Sequence, residues 1–206
     1  MLRIGLTGGI ASGKSTVAEM LRERDCQILD ADVLTHELLE PGQETHNTVL
    51  REFGRQILAP NGTIDRQKLG AIVFLDPARR ERLNQIMHPR IQQIVAQWFD
   101  ALERTGDLAF AFEDAALIIE SGAAKNFDHV VVCWCRPEQQ IERLMERGLS
   151  EEDARRRIAA QMPIDEKRKQ ADFVIDCSAT MDETRHQVDG LIRRLKDLAG
   201  ASGNIS

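Results

Sequence analysis

Residues 8–16 read Gly-Gly-Ile-Ala-Ser-Gly-Lys-Ser-Thr, a spacing of glycine, lysine and serine that is typical of phosphate binding. Glycines at both ends of the turn let the backbone bend tightly and approach phosphate oxygens, because they have no Cβ. Lys14 supplies a positive charge for the β- and γ-phosphates, and the Ser15 hydroxyl supplies a ligand for Mg²⁺. The pattern therefore predicts a P-loop that binds a triphosphate together with Mg²⁺.

The segments on either side of this loop agree with that interpretation. The apolar residues 2–6 precede it as a short strand, and residues 17–21 continue it as a helix. Backbone N–H groups and the positive end of the helix dipole then converge on one anion. We expect ATP to contact the loop and the first helical turn, through Gly9, Ala11, Ser12, Gly13, Lys14, Ser15 and Thr16.

A second reactive group, Asp30-Ala31-Asp32, ends the next predicted strand, and His36 follows four residues later. In a parallel sheet, Asp32 would lie at the edge that also carries the loop. A carboxylate there can hold Mg²⁺ or accept the proton of an attacking hydroxyl. The alternative is that Asp32 caps the following helix. We predict a catalytic role for Asp32, as proton acceptor, as metal ligand with Ser15, or as both.

Further acidic residues follow the third predicted strand, where an acid of the Walker B type would lie. Glu113 and Asp114 come first, and Glu120 follows a short apolar run. Such a carboxylate is either functional or part of a helix cap or salt bridge. We carry Glu120 forward as a candidate site residue.

Arginines are concentrated in two short helices predicted over residues 137–147 and 150–161. Arg143 and Arg147 share one helix face with Gln140, because these residues are spaced at i, i+3 and i+7. Guanidinium groups suit the charge that spreads over a transferring phosphoryl group. The two helices are a candidate lid in which we predict Arg143 and Arg147 to be catalytic. Arg155 and Arg156 are interpreted as surface residues.

Strand and helix patterns alternate along the chain and predict an α/β fold with a five-stranded parallel sheet. The strands are short, apolar runs, as expected when helices cover both faces of the sheet. They are predicted over 2–6, 26–30, 108–112, 129–135 and 172–176. Helices are predicted over 14–24, 32–40, 45–54, 66–75, 77–105, 137–147, 150–161 and about 182–199, with Asp76-Pro77 and His88-Pro89 as natural helix starts.

Composition restricts the function classes. The 206 residues carry a formal net charge of −6, which argues against a general nucleic-acid or membrane-surface binder. No charged-then-apolar leader and no apolar run of about 18 residues is present. We therefore expect a cytoplasmic protein with no obligate protein partner evident.

The four cysteines, Cys26, Cys133, Cys135 and Cys177, lack zinc spacing and are interpreted as reduced, structural thiols.

Taken together, several separated segments resemble the dephospho-coenzyme A kinase family, in the order in which they occur in that family. They span almost the whole chain: Thr7–Thr16, Asp30-Ala31-Asp32 with His36, His88-Pro89, Leu117–Gly122, Gln140 with Arg143 and Arg147, Arg157–Gln161, Lys167 and Ala171–Asp176. The resemblance implies transfer of the ATP γ-phosphoryl group to the ribose 3′-hydroxyl of dephospho-coenzyme A. It also implies that Asp32 is the general base.

The resemblance further implies a single P-loop kinase domain, of the three-layer P-loop NTPase type, with three parts. These are a nucleotide-binding core (about 1–31, 106–136 and 170–200), a helical insertion that binds the acceptor (about 32–105) and a helical lid (about 137–169). His36, His88 and Glu120 are the residues assigned to acceptor binding. The chain departs from the family at Ala116, where proline is usual, and at Cys177, where asparagine is usual; a basic residue that often lies a few positions after His-Pro is also replaced, by Gln92.

Two other functions remain open on the sequence. A different small-molecule or nucleotide kinase would use the same core, and a panel of acceptors would distinguish it. A GTPase-type switch would normally carry Asn-Lys-x-Asp after a strand, and this tetrad is absent from the sequence. Comparing ATP with GTP binding tests that alternative. A nucleic-acid protein is disfavoured by the acidic charge and the few aromatic residues.

Overall fold

A computed structural model describes residues 1–202 of the chain. Five parallel strands form one sheet in the order β2-β3-β1-β4-β5. Their bounds are Leu2–Gly8 (β1), Ile28–Asp30 (β2), Phe110–Asp114 (β3), His129–Trp134 (β4) and Phe173–Asp176 (β5). The predicted α/β class and five-stranded parallel sheet are therefore confirmed.

Nine α-helices connect and flank these strands within residues 1–202. They are Lys14–Arg22 (α1), Ala31–Leu38 (α2), Glu44–Phe53 (α3), Arg66–Leu75 (α4), Pro77–Thr105 (α5), Pro137–Glu146 (α6), Glu151–Ala159 (α7), Ile164–Lys169 (α8) and Met181–Ser202 (α9). Short 3₁₀ helices lie at Arg55–Ile57 and Ala123–Asn126. No helix in this described part of the chain combines the length and apolar character that crossing a membrane requires.

The chain divides into two compact units, one of residues 1–30 with 101–206 and one of residues 31–100. The sheet belongs to the first unit, and alternate residues of β1 serve its two faces. Ile4 and Leu6 are fully buried on the face that α1 and α9 cover, through residues such as Val17 and Leu195. On the other face Val130 and Val132 pack with Ile164 of α8. Helices on both faces explain why the strands are continuous apolar runs.

The second unit is helical and contains α2, α3, α4 and most of α5. Val49 and Phe53 of α3 are buried, as are Ile57 and Leu69. Asp65 caps α4 by accepting hydrogen bonds from the N–H groups of Gln67 and Lys68 at 3.0 and 3.2 Å.

One predicted helix start was wrong, and one helix was missed. Helix α5 runs without interruption through Pro89, so no helix starts at His88-Pro89. Proline lacks an N–H and removes one helical hydrogen bond, but buried residues on both sides (Met87, Val95 and Phe99) keep α5 in place. Helix α8 was not predicted, because Ile164 is the only apolar residue in its six-residue span.

Candidate active site

The P-loop connects β1 to α1 through residues 9–13 of the first unit. It is closed by a hydrogen bond from the Ser12 N–H to the Gly9 carbonyl at 3.1 Å. Gly13 has a φ of 103° and ends the loop, and its carbonyl accepts the first helical bond from Val17 at 3.0 Å. Ala11 also has a positive φ, of 59°, which is unfavourable for a residue with a Cβ. The local geometry is that of a strand, a tight turn and a helix N-terminus.

Two glycines of the loop are required by packing, and the positive φ of Gly13 also favours glycine. A Cβ on Gly8 would lie 2.5 Å from Ser12 Oγ and 2.8 Å from the Cys133 carbonyl oxygen. A Cβ on Gly13 would lie 2.8 Å from the Cβ of Cys177. The turn is therefore pressed against the ends of β4 and β5, and a larger residue at either position would displace it.

Lys14, at the start of α1, forms an ion pair with Asp114, the last residue of β3. Asp114 is 2% exposed, whereas the Lys14 side chain is 13% exposed and the neighbouring Ser15 is exposed. We call Lys14 and Asp114 the lysine–aspartate pair. It places a buried carboxylate and a cation beside the exposed hydroxyl at the helix N-terminus.

Asp30 and Glu113 are the other acidic residues near the carboxyl ends of β2 and β3. Asp30 is in register with Asp114 on the neighbouring strand, and its carboxylate lies 4.0 Å from Arg22. Glu113 precedes Asp114 and points to the opposite face of the sheet. Burial, reinforced by the charge of Asp114, raises the pKa of Glu113 to about 7.

Four side chains from the segment between β4 and β5 bind the backbone of the loop. The amide of Gln140 donates to the Ile10 carbonyl at 2.6 Å, and that of Gln161 accepts from the Ile10 N–H at 2.8 Å. Arg143 donates to the Ala11 carbonyl at 3.1 Å. Lys167 donates to the Gly8 carbonyl at 3.2 Å. We call these four residues the brace.

Apolar contacts accompany these hydrogen bonds. Ala11 packs into a cluster with Leu144 of α6 and Ala154 of α7, and Ile10 lies against the same cluster. The Arg143 guanidinium also donates to the Cys177 carbonyl at 2.6 Å. Two of its five N–H groups are therefore occupied by backbone carbonyls.

Lys167 has a side chain with no exposed surface. Besides Gly8, its ammonium donates to the Ala116 carbonyl at 2.7 Å and lies 2.8 Å from a carboxylate oxygen of Glu120. Burial lowers the pKa of Lys167, and the hydrogen bond and charge of Glu120 oppose that shift. The same Glu120 oxygen accepts from the Met162 N–H at 3.1 Å. Glu120 thus binds the brace, and its assignment to acceptor binding stays a prediction.

The cysteines are all free thiols, as expected. Cys133 and Cys177 belong to the sheet's core cluster, and Cys133 is completely buried. Burial raises the pKa of Cys135 to about 11. Burial also raises the pKa of Cys133, so Cys133 and Cys135 are neutral near pH 7 and fill space next to the loop. The Cys177 side chain contributes packing against Gly13, while its backbone carbonyl binds Arg143.

Three predicted site residues, Asp32, His36 and His88, lie in the second unit. Asp32 is exposed and is the second residue of α2, which starts directly after β2. It is therefore within the first helical turn, rather than at the capping position considered from the sequence. His36 lies one turn later and is partly exposed, and His88 is partly exposed within α5. Their catalytic and acceptor-binding roles stay predictions.

The other arginines that the sequence analysis considered lie on the surface. Arg155 pairs with Glu151 at 2.7 Å, and Arg156 pairs with Asp153, all on the exposed surface of α7. These are the surface residues that the sequence predicted. Arg147 ends α6 and is exposed.

Sequence reasoning named Asp114 only as an acid where a Walker B group would lie, and it used Gln140, Gln161 and Lys167 in the family resemblance without giving them a role at the loop. Asp114 was obtainable in principle, because an acid at the end of a strand beside the loop strand is a local signal. The brace residues, of which only Arg143 was predicted to act at the site, carry no local signal of their contacts with the loop. They lie 130 to 159 positions from the loop residues that they contact.

Comparisons with known proteins match this chain to one family. The dephospho-CoA kinase family model matches residues 2–183. Among curated relatives, the dephospho-CoA kinase of Symbiobacterium thermophilum is 46% identical over 92% of this chain and 80% of its own length. That of Geobacillus kaustophilus is 44% identical over 94% of this chain and 96% of its own length.

Solved structures agree with this comparison. A crystal structure of the protein TT1252 from Thermus thermophilus has a TM-score of 0.79 and 29% identity, and the match covers 94% of this chain and 97% of that one. Dephospho-CoA kinase from Campylobacter jejuni has a TM-score of 0.70 and 28% identity, covering 95% of this chain and 97% of that one.

Proposed function

This chain belongs to the dephospho-CoA kinase family, and we propose that it transfers the γ-phosphoryl group of ATP to the ribose 3′-hydroxyl of dephospho-coenzyme A. The observation that carries this proposal is the P-loop with its lysine–aspartate pair, in a chain that matches the family over residues 2–183. A lysine at a P-loop helix N-terminus neutralises phosphate charge. The family match supplies the acceptor.

ATP is the proposed phosphoryl donor. The loop offers a helix N-terminus and backbone N–H groups to the phosphates. Lys14 pairs with Asp114 in this structure. When the phosphates of ATP are bound, their oxygens compete with Asp114 for the Lys14 ammonium. The ion pair thus keeps the cation next to the site.

Mg²⁺ fits the oxygen donors at the start of α1. The Ser15 hydroxyl is exposed there, and the proposed second ligand is the carboxylate of Asp32. Mg²⁺ is commonly held by one or two protein oxygens together with substrate phosphates and water. Within residues 1–202, no group of three or more His, Cys, Asp or Glu side chains forms a metal site by itself. When bound with ATP, the ion neutralises charge on the transferring phosphate.

The proposed mechanism is a direct transfer without a covalent enzyme intermediate. Asp32 orients the acceptor hydroxyl and takes its proton late, because phosphoryl transfer has a loose transition state with little need for a strong base. Lys14 stabilises charge on the phosphates. Arg147, which is exposed at the end of α6, and the unoccupied N–H groups of Arg143 supply further positive charge. Closure of the lid would exclude water, the competing acceptor.

The test of the function is a product assay. Purified protein is incubated with Mg-ATP and dephospho-coenzyme A, and mass spectrometry should detect coenzyme A and ADP. A panel of other hydroxyl acceptors distinguishes the alternative, another P-loop small-molecule or nucleotide kinase. If a panel member is phosphorylated and dephospho-coenzyme A is not, the proposed acceptor is wrong. The cytoplasmic location stays a prediction of the sequence.

Asp32→Asn tests the role of the base in the same assay. We expect the variant to bind ATP normally and to lose turnover by about 10²–10⁴-fold, the usual contribution of a positioned base. The measurements are the affinity for Mg-ATP by calorimetry and the rate of ADP release. Unchanged turnover would show that Asp32 is not catalytic, and Asp32→Glu provides a variant that keeps the carboxylate.

A further inference from the structure

The backbone of the P-loop is bound by side chains that the proposed mechanism does not use. We propose that Gln140 and Gln161 are positioning residues for the triphosphate, which they serve by fixing the direction of two consecutive peptide groups around Ile10. This inference rests on ATP binding in the proposed function, but not on the identity of the acceptor.

The first step concerns the Gly9–Ile10 peptide. In a trans peptide the carbonyl of one residue and the N–H of the next point in opposite directions, and the described chain has no cis peptide. The Ile10 N–H is bound by Gln161 at 2.8 Å. The Gly9 carbonyl therefore points the other way, where it accepts the Ser12 N–H at 3.1 Å and closes the turn.

The second step concerns the Ile10–Ala11 peptide. Here the carbonyl is bound by Gln140 at 2.6 Å. The Ala11 N–H must then point away from Gln140. Two consecutive peptides are thus held, the first by its N–H and the second by its carbonyl, each through the complementary end of a glutamine side chain. Ala11 is among the residues that we predict to contact ATP.

The third step is the cost of this conformation. A φ of 59° at Ala11 is unfavourable, and such a residue persists only when its surroundings hold it in place. The surroundings are firm here, because Gln140 is 2% exposed and Ala11 packs against Leu144 and Ala154. The protein's own side chains therefore hold the strained turn in place.

The functional consequence is preorganisation. If the loop sampled other conformations, the apparent affinity for ATP would fall in proportion to the fraction of molecules with the competent loop. The two glutamines raise that fraction. They do so from positions on α6 and just after α7, so the segment predicted to be a lid also shapes the phosphate site.

The roles of the two glutamines suggest a crossed experiment. At position 161 the side chain acts as an acceptor, so Gln161→Glu keeps the hydrogen bond and Gln161→Met removes it. At position 140 the side chain acts as a donor, so Gln140→Met removes the bond and Gln140→Glu sets a carboxylate against the Ile10 carbonyl. Methionine has nearly the same shape as glutamine and carries no charge.

We expect the order of affinities to reverse between the two positions. Loss of the bond should weaken binding of Mg-ATP and of tripolyphosphate by about tenfold. Gln161→Glu should bind more tightly than Gln161→Met, and Gln140→Glu more weakly than Gln140→Met. Affinities are measured by calorimetry on the whole protein, well below the unfolding midpoint of each variant. The exposed Gln97 of α5, changed to Glu, controls for the added negative charge.

Two outcomes would overturn the proposal. If glutamate is worse than methionine at both positions, simple repulsion of the triphosphate explains the data. If no variant changes the affinity for tripolyphosphate, the brace has a structural role only. Should the variants at position 140 fail to fold, the pair at position 161 decides alone. The binding assay needs no acceptor, so a wild-type protein that fails to make coenzyme A would reject the proposed function and leave this test intact.

Discussion

Two lysines contact carboxylates close to the P-loop, and they differ in how deeply they are buried. Lys14 is partly exposed, at 13%, and pairs with Asp114. Lys167 has no exposed side-chain surface and binds Glu120 together with the carbonyls of Gly8 and Ala116. Both ion pairs join a helix to the end of β3 or the segment that follows it.

The difference separates two roles at one loop: Lys167 helps to fix the loop, and Lys14 can change its partner. A lysine ammonium has three donors. Those of Lys167 all have acceptors within the protein, so a ligand could recruit it only by leaving Gly8, Ala116 and Glu120 without their donor. Lys14 is partly exposed at the helix N-terminus, where a phosphate oxygen can approach its ammonium and replace the Asp114 carboxylate. The brace should therefore set loop shape, and the lysine–aspartate pair should respond to ATP.

The largest expected effect is the loss of turnover when Lys14 is replaced. Lys14→Met should lower turnover by about 10³-fold, because a charge that stabilises the transferring phosphoryl group is lost. Stability should fall by about 2 kcal/mol, since Asp114 loses a charged hydrogen bond. The double variant with Asp114→Asn should recover stability and remain inactive. Turnover is followed as ADP release and stability by urea unfolding. Turnover within tenfold of the wild type would break the distinction between the two lysines.

A smaller effect, mainly on the free energy of unfolding, is expected when Lys167 is replaced. Lys167→Met should cost about 3 kcal/mol of unfolding free energy, because Glu120 loses its cation next to a buried site. Adding Glu120→Gln should recover part of this loss. The free energy is measured by urea unfolding with and without Mg-ATP. A variant of unchanged stability would show that the Lys167 contacts are energetically neutral, and the contrast with Lys14 would then be one of exposure alone.

The smallest effect should come from Glu113, which adjoins Asp114 but lies on the opposite face of the sheet. Its pKa of about 7 is above the ordinary value of 4.5, so the unfolded chain releases this proton first. Stability should therefore fall by about 2–3 kcal/mol as pH rises from about 4.5 to about 7, and this loss should level off above pH 7. Glu113→Gln should remove this slope and leave ATP affinity unchanged. Urea unfolding across this pH range provides the measurement, and an equal slope in the variant would contradict the assignment.

The sequence was sufficient for the parts of the site that are local in the chain. The glycine–lysine–serine spacing, the strand before it and the helix after it are neighbours in sequence, and α1 begins at Lys14 as expected. The helix over residues 77–105 also agrees with its prediction at both ends. Local patterns determine these elements because each hydrogen bond of a helix or turn joins residues only a few positions apart.

Tertiary structure alone decided what holds the loop. The side chains of Gln140, Gln161 and Lys167 reach backbone groups more than 100 positions away, and no local periodicity encodes such a contact. Helix α8 illustrates the reason. Its charged sequence does not indicate a buried element, yet Ile164 and Lys167 are both buried. Ile164 packs against the second face of the sheet. The ammonium of Lys167 has hydrogen-bond acceptors in two backbone carbonyls and in Glu120. Polar groups can be buried only where the fold brings partners to them.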